Sequence, residues 1–201
     1  MNASTPNLLA VLALWLWPVA SIFFYQSKAV VPATIWTILA ADLLLPFGTS
    51  FKFTMIPELD KFSIPTFCAL VGCMIVTRRR LQLSNNFGLT EILIFTFLVS
   101  PVITCLLNGD TLYYGSTVLP GVGIYDGLSA VLAQFVTLIP FFLGRQFLRN
   151  PTDLQRILEI LVLAGLIYSV PLLFEIRFSP QLHSWVYGYA PTDFIQEVRE
   201  G

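Results

Sequence analysis

The stretch LLAVLALWLWPVASIFFY, residues 8–25, decides what kind of chain this is. It holds no charged side chain and ends in three aromatics. At a rise of about 1.5 Å per residue, about 20 residues cover the roughly 30 Å hydrocarbon core of a bilayer. Residues 1–27 carry no charge at all, so the basic n-region of a cleavable signal peptide is missing. The segment reads as a first membrane span. Five further apolar stretches follow, at residues 29–47, 64–77, 89–107, 128–143 and 154–174. The stretch at 64–77 is the shortest, and its length also suits a re-entrant segment.

Composition agrees with this reading. The chain of 201 residues is 56% hydrophobic and 11% charged, less than half the roughly 25% charged residues of a soluble domain. The expected fold class is all-α: a polytopic helical membrane bundle of about six transmembrane helices. Residues 1–178 make the bundle. Residues 179–201 make an external membrane-interface segment that reads as truncated. A net charge of -1 excludes a nucleic-acid partner. Cys68, Cys73 and Cys105 all fall in apolar stretches, and His183 is the only histidine. No disulfide framework, metal centre or cofactor is expected from them. The lipid bilayer is the first partner.

Basic residues set an orientation. Lys28, Arg78, Arg79, Arg80, Arg145, Arg149 and Arg156 fall between spans one and two, three and four, and five and six. Lys52, Lys61, Arg177 and Arg199 fall on the other side. The positive-inside rule makes the first group cytoplasmic and leaves the N-terminus and the C-terminal segment outside.

Several polar residues interrupt the apolar pattern. Asp42 lies near the outer end of span two, either as an interfacial cap or as a group that handles substrate or protons. Gln134 is mid-span in stretch five and is expected to hydrogen-bond another helix. Pro101 predicts a kink in stretch four. Asn150-Pro151-x-Asp153 is a helix start, and Arg156 and Glu159 are spaced to pair. The loop at 108–127 holds five glycines and the tyrosines Tyr113, Tyr114 and Tyr125. Those rings suit an interfacial aromatic belt or a platform for sugar rings. The glycines do not follow a strand in the dinucleotide-binding pattern.

The segment after span six is the richest. It places Arg177, His183, Trp185 and Tyr187 just outside the apolar core, with Arg199 further on. Such a mixture serves either a membrane-interface helix or a surface for carbohydrate and lipid phosphate, on which arginine forks bidentately. Nucleotide loops, HExxH pairs and GxSxG elbows are absent from the sequence.

Glu175-x-Arg177 with Ser179-Pro180-Gln181-Leu182-His183-x-Trp185-x-Tyr187-Gly188 resembles bacterial O-antigen ligases and exopolysaccharide polymerases. Asn108-Gly109-Asp110, Val118-Leu119-Pro120-Gly121, Tyr125-Asp126-Gly127-Leu128-Ser129 and Leu143-Gly144-Arg145 agree, as do Pro57-Glu58-Leu59-Asp60-Lys61 and Ile64-Pro65. The resemblance runs from about Leu44 onward and covers only the amino-terminal half of a family member. It implies a multi-pass protein of the bacterial inner membrane that transfers glycan from a polyprenyl-diphosphate carrier, without nucleotide sugar or metal. It implies other polysaccharide-assembly membrane proteins as partners. The family's principal Arg and His residues belong to a later external loop, so no catalytic residue is assigned here, and the chain alone is expected to be inactive. Substrate binding falls to Arg177, His183, Trp185, Tyr187 and Arg199. Two other functions compete: a transporter or flippase of lipid-linked glycans, and an inactive remnant.

Overall fold

The computed structural model describes residues 6–53, 56–78, 88–115, 117–178 and 182–189. Among these residues, seven helices and two hairpins follow in the order α1 (Leu8–Ser27), α2 (Val30–Leu44), β1 (Phe51–Phe53), β2 (Ile56–Leu59), α3 (Ser63–Thr77), α4 (Leu89–Leu107), β3 (Leu112–Tyr114), β4 (Thr117–Leu119), α5 (Ile124–Phe147), α6 (Pro151–Phe178) and α7 (Leu182–Tyr187).

Four helices, α1, α4, α5 and α6, are long and apolar enough to cross a membrane. Helices α2 and α3 are apolar but have 15 residues each, about 22 Å against a core of roughly 30 Å. The expectation of about six spans is therefore met by length for four. The surface is inverted relative to a soluble protein. Leu89, Phe95, Val170 and Ile176 are all exposed, and a helix that is apolar all round belongs in lipid. The chain is a membrane-embedded helical bundle.

Small residues hold it together. With little hydrophobic drive between helices in lipid, association depends on close van der Waals contact and interhelical hydrogen bonds. Leu14 and Trp17 of α1 pack on Ala40 and Ala41 of α2, and Trp17 Nε1 donates to the Thr37 carbonyl at 3.2 Å. Helix α3 lies at the centre, against α1, α2 and α5. Its Ala69 and Cys73 meet Ile139 and Leu143 of α5. Tyr25 Oη reaches Thr34 Oγ1 at 2.8 Å and donates to the Ala69 carbonyl at 3.0 Å, joining α1, α2 and α3. A Cβ at Gly72 would stand 2.4 Å from the Tyr25 ring, so this approach needs glycine.

Local signals set the helix ends. Asn7 Oδ1 accepts the Ala10 N–H at 3.0 Å and caps α1. Two helices start alike: Glu91 Oε2 accepts the Gly88 N–H at 3.0 Å, and Asp126 Oδ2 accepts the Gly123 N–H at 2.8 Å. Each acid also suits the positive end of its helix. Helix α6 starts at Pro151, as the Asn150-Pro151 signal predicts. Helix α4 runs on through Pro101. Proline leaves the carbonyl four residues earlier without its N–H, and Ser100 Oγ donates to that carbonyl, on Phe97, at 2.8 Å.

Three details differ from the sequence reading. The loops at 48–62 and 108–123 each carry a two-stranded antiparallel hairpin, pairing Phe51 with Leu59 and Leu112 with Leu119. Gly115 turns the second at φ +60°. Glu159 accepts from Gln155 Nε2 at 3.1 Å, and among the described residues no ion pair joins it to Arg156. Gln134 Oε1 is buried without a hydrogen-bond partner among the described residues. Helix α6 lies along α2, whereas α5, only three residues before it, packs with α3 and α4.

Candidate functional site

That divergence of α5 and α6 leaves a cavity of about 1100 Å³ between α2, α3, α5 and α6. Its walls are apolar: Ile38 and Leu39 from α2, Ala130, Ala133 and Val136 from α5, and Leu161 from α6. Its charged lining is supplied by Asp42, Glu58, Asp60, Lys61 and Asp126. These residues come from the C-terminal end of α2, the segment before α3 and the start of α5. They define one end of the bundle, and the cavity has its mouth there.

Each charged group is anchored by the chain around it. Asp60 Oδ1 accepts the N–H groups of Phe62 and Ser63 at 3.0 and 2.8 Å, and Ser63 Oγ accepts the Asp60 N–H at 2.8 Å. This reciprocal pair caps α3 and fixes the turn that carries Lys61. Glu58 Oε2 accepts from Ser50 Oγ at 2.7 Å. Asp126 is held by its cap on α5. Lys61 Nζ lies 3.2 Å from Asp42 Oδ1 and donates to the Asp42 carbonyl at 3.4 Å. The Lys61 side chain is only 14% exposed, whereas Asp42 is 55% exposed. Aromatic faces shelter the ammonium, with Phe62 at 4.8 Å and Phe47 at 5.5 Å from ring centroid to Nζ. Asp42 therefore has a partner in the loop after α2, and both residues line the cavity.

Of the residues singled out from the sequence for substrate binding, Arg177, His183, Trp185 and Tyr187 do not line the cavity. Arg177 is exposed in the last turn of α6, 5.8 Å from the Phe178 ring. Trp185 meets Phe174 edge to face at 5.8 Å. His183 Nε2 accepts the Phe47 N–H at 3.3 Å, and Nδ1 lies 3.0 Å from the Tyr189 carbonyl. A backbone N–H must donate, so Nε2 is unprotonated and Nδ1 carries the hydrogen. Tyr187 Oη donates to the Leu44 carbonyl. Arg199 lies outside the described residues.

Together, α7 and the residues after it clasp the bundle. Tyr189 Oη donates to the Phe47 carbonyl at 2.5 Å and accepts from Thr49 Oγ1 at 2.6 Å. Asn7 Nδ2 donates to the Val186 carbonyl at 2.8 Å, and Asn7 N–H to the Tyr187 carbonyl at 3.0 Å. Burial raises the Tyr187 and Tyr189 phenols above their ordinary pKa. His183 and Tyr187 thus spend their polar atoms on backbone groups. The sequence pattern showed their clustering but not these partners, of which Phe47 and Leu44 lie more than 130 residues away in the chain.

A second polar pair lies at the opposite end. Arg145 Nη2 meets Glu91 Oε1 at 2.6 Å and joins α5 to α4. The Glu91 side chain is 10% exposed. The sequence showed both residues at helix ends, and only the antiparallel packing of α4 on α5 brings them together.

No family model, curated protein or solved structure matches this chain.

Proposed function

We propose that this chain holds a glycan-bearing amphiphile in the cavity between α2, α3, α5 and α6, as part of glycan transfer of the O-antigen ligase or exopolysaccharide polymerase type. The donor is a glycan on a polyprenyl-diphosphate carrier. An acceptor hydroxyl attacks the anomeric carbon, the carbon–oxygen bond to the diphosphate breaks, and the diphosphate leaves with the bonding electrons. The acceptor proton passes to a base. Other polysaccharide-assembly membrane proteins act on the same carrier. In this reading the protein is multi-pass in the bacterial plasma membrane, and α2 and α3 complete a six-helix crossing by local thinning of the bilayer.

One observation carries the proposal: a chamber of about 1100 Å³ with apolar walls and a charged mouth. Large apolar chambers with a few convergent polar groups are the usual form of small-molecule sites. Lys28, Arg78, Arg145, Arg149 and Arg156 cluster at the end opposite the mouth, which the positive-inside rule makes cytoplasmic. The mouth then faces outward, where a flipped lipid-linked glycan is presented.

Overexpression in a polysaccharide-producing bacterium tests the function. The chain should sequester substrate and lower polymer yield on gels. Ala133→Trp, which fills the chamber, should restore yield at equal expression. Unchanged yield with the parent chain would count against the proposal. Orientation is tested by single cysteines in a Cys-free background. An impermeant thiol reagent applied outside should label a cysteine at Gly115 and not one at Arg79.

The half-buried Glu91–Arg145 pair and prolines inside α1, α4, α5 and α6 favour a second reading, transport or flipping of lipid-linked glycans. Translocation of a fluorescent lipid-linked glycan across proteoliposomes by the purified chain would select it.

A further inference from the structure

His183 is the only histidine in the chain. Histidine is the side chain whose charge changes between about pH 5 and 8. Its ring is half-buried here, and both nitrogens are engaged. Nε2 accepts the Phe47 N–H at 3.3 Å, and Nδ1 donates to the Tyr189 carbonyl at 3.0 Å. Tyr189 Oη in turn donates to the Phe47 carbonyl at 2.5 Å. The N–H and the carbonyl of Phe47 are therefore both held from the far end of the chain. That turn also serves the cavity. The Phe47 ring lies 5.5 Å from Lys61 Nζ, and Lys61 and its partner Asp42 line the chamber.

A second ring proton breaks one arm of this clamp and spares the other. Imidazolium carries a hydrogen on each nitrogen and has no acceptor. Nδ1 goes on donating to the Tyr189 carbonyl. Nε2 then points a hydrogen at the Phe47 N–H, donor against donor, and that bond is lost. The released ring binds one proton more than the clasped one. The Phe47 arm is thus complete at the alkaline end of the imidazole range and is lost as pH falls through it.

Neighbouring groups do not restore the lost acceptor. The Tyr187 and Tyr189 rings face the imidazole with centroids at 5.1 and 4.9 Å. Their phenols stay neutral in this range and already donate to carbonyls. The turn at 45–50 has no titratable side chain, and α1 contributes the uncharged Asn7. Helix α6 carries Glu175 and Arg177 in its last turn. Among the described residues, neither is hydrogen-bonded or ion-paired to the ring. Lys61 meets the Phe47 ring and is committed to Asp42.

We propose that His183 is an acid-operated latch on the cavity rim: a proton on Nε2 releases the Phe47 N–H and loosens the turn that shelters Lys61. Its role as regulation rests on reading the cavity as the substrate site. The latch itself stands on the bond between His183 and Phe47.

The test uses the full chain in phosphatidylcholine nanodiscs, with nitrogen-15 in histidine alone. One histidine gives one pair of ring-nitrogen signals, so its tautomer and protonation are read directly. Amide exchange of the peptide spanning 44–50 is followed in parallel from about pH 8 to about pH 5, corrected for the intrinsic rate. The neutral ring should carry its hydrogen on Nδ1. As the ring takes its second proton, protection at 44–50 should fall about two- to tenfold, the worth of one hydrogen bond. His183→Gln keeps a carbonyl acceptor that does not titrate, so its protection should stay flat. Asp42→Asn should keep the fall, in step with the ring signal. A neutral ring with its hydrogen on Nε2 would overturn the latch. So would a ring that stays neutral down to about pH 5, or one that protonates while protection at 44–50 is unchanged. A parent-like fall in His183→Gln would place the acid response on another group and overturn it as well. These signals do not depend on occupancy of the chamber, so failure of the cavity reading in the Ala133→Trp experiment is seen separately.

Discussion

His183 Nε2 accepts the backbone N–H of Phe47 across 136 residues of chain. The same Phe47 presents its ring to Lys61, and Lys61 pairs with Asp42 at the cavity mouth. The histidine is thus a clamp on the turn that borders the mouth.

Removing it has a measurable cost. His183→Ala deletes two hydrogen bonds at about 0.5–1.5 kcal/mol each. Amide exchange at residues 44–50 should accelerate, while α4 and α5 stay protected. Unchanged exchange at Phe47 would show that the ring is dispensable.

The clasp should also loosen in alkali. Tyr187 and Tyr189 both donate their phenol hydrogens to carbonyls, and burial raises both above the ordinary phenol value. The neutral form is favoured when folded, so this contribution is complete below the unfolded phenol pKa of about 10 and is lost as pH rises through the higher folded values. Amide protection at 44–50 should fall over that window. Tyr189→Phe should already be weaker at neutral pH and should show a smaller alkaline change. A flat profile in the parent chain would be inconsistent with phenol donors.

The Glu91–Arg145 pair joins α4, whose only buried residue is Cys105, to α5. Breaking one side leaves a charge in an apolar setting without its partner. Arg145→Leu and Glu91→Gln should each lower the thermal midpoint in detergent, and the double variant should lose less than the sum of the two. Additive losses would mean that the contact carries no coupling.

Gly72 should resist even the smallest side chain. Its added methyl meets the Tyr25 ring at 2.4 Å, and that ring is held by bonds to Thr34 and Ala69. Overpacking of this kind costs about 1–3 kcal/mol. Gly72→Ala should destabilise the bundle, and Tyr25→Phe should relieve part of the strain. A stable Gly72→Ala with an unchanged midpoint would show that α1 and α3 can separate freely.

The helices were legible in the sequence because long apolar runs have few alternatives. The stretch at 89–107 and helix α4 coincide, and the other five differ by one to four residues at either end. In α1, α3, α5 and α6 the helix extends beyond its apolar run into polar residues, as at Arg145 and Gln146 in α5, whereas α2 stops at Leu44, short of the end of its run. The hairpins were missed because three-residue strands leave almost no alternation to read. Gly88-x-x-Glu91 and Gly123-x-x-Asp126 share a capping spacing that could have been read as a helix start in both places. The cavity was not legible. It depends on α6 choosing α2 over α5, and both faces of α6 are comparably apolar. Asp42 stood out as a carboxylate near a helix end, but its partner Lys61 lies beyond an intervening hairpin that only the fold closes.

The clasp also has a bearing on the order of assembly. Asn7, at the entrance to α1, bonds the carbonyl of Val186, 179 residues later. Such a contact cannot form until almost the whole described chain has left the ribosome, and distant pairings are the slow ones to close. Helices α1 and α2 can pair early through Trp17 and Thr37, but they wait in that hairpin with one end unlatched. The mouth is finished by the same late event, because Phe47 is fixed from the far end of the chain. The cavity rim is therefore completed after helices α1 to α6, and an intermediate caught before that step would have these helices inserted and its chamber still open.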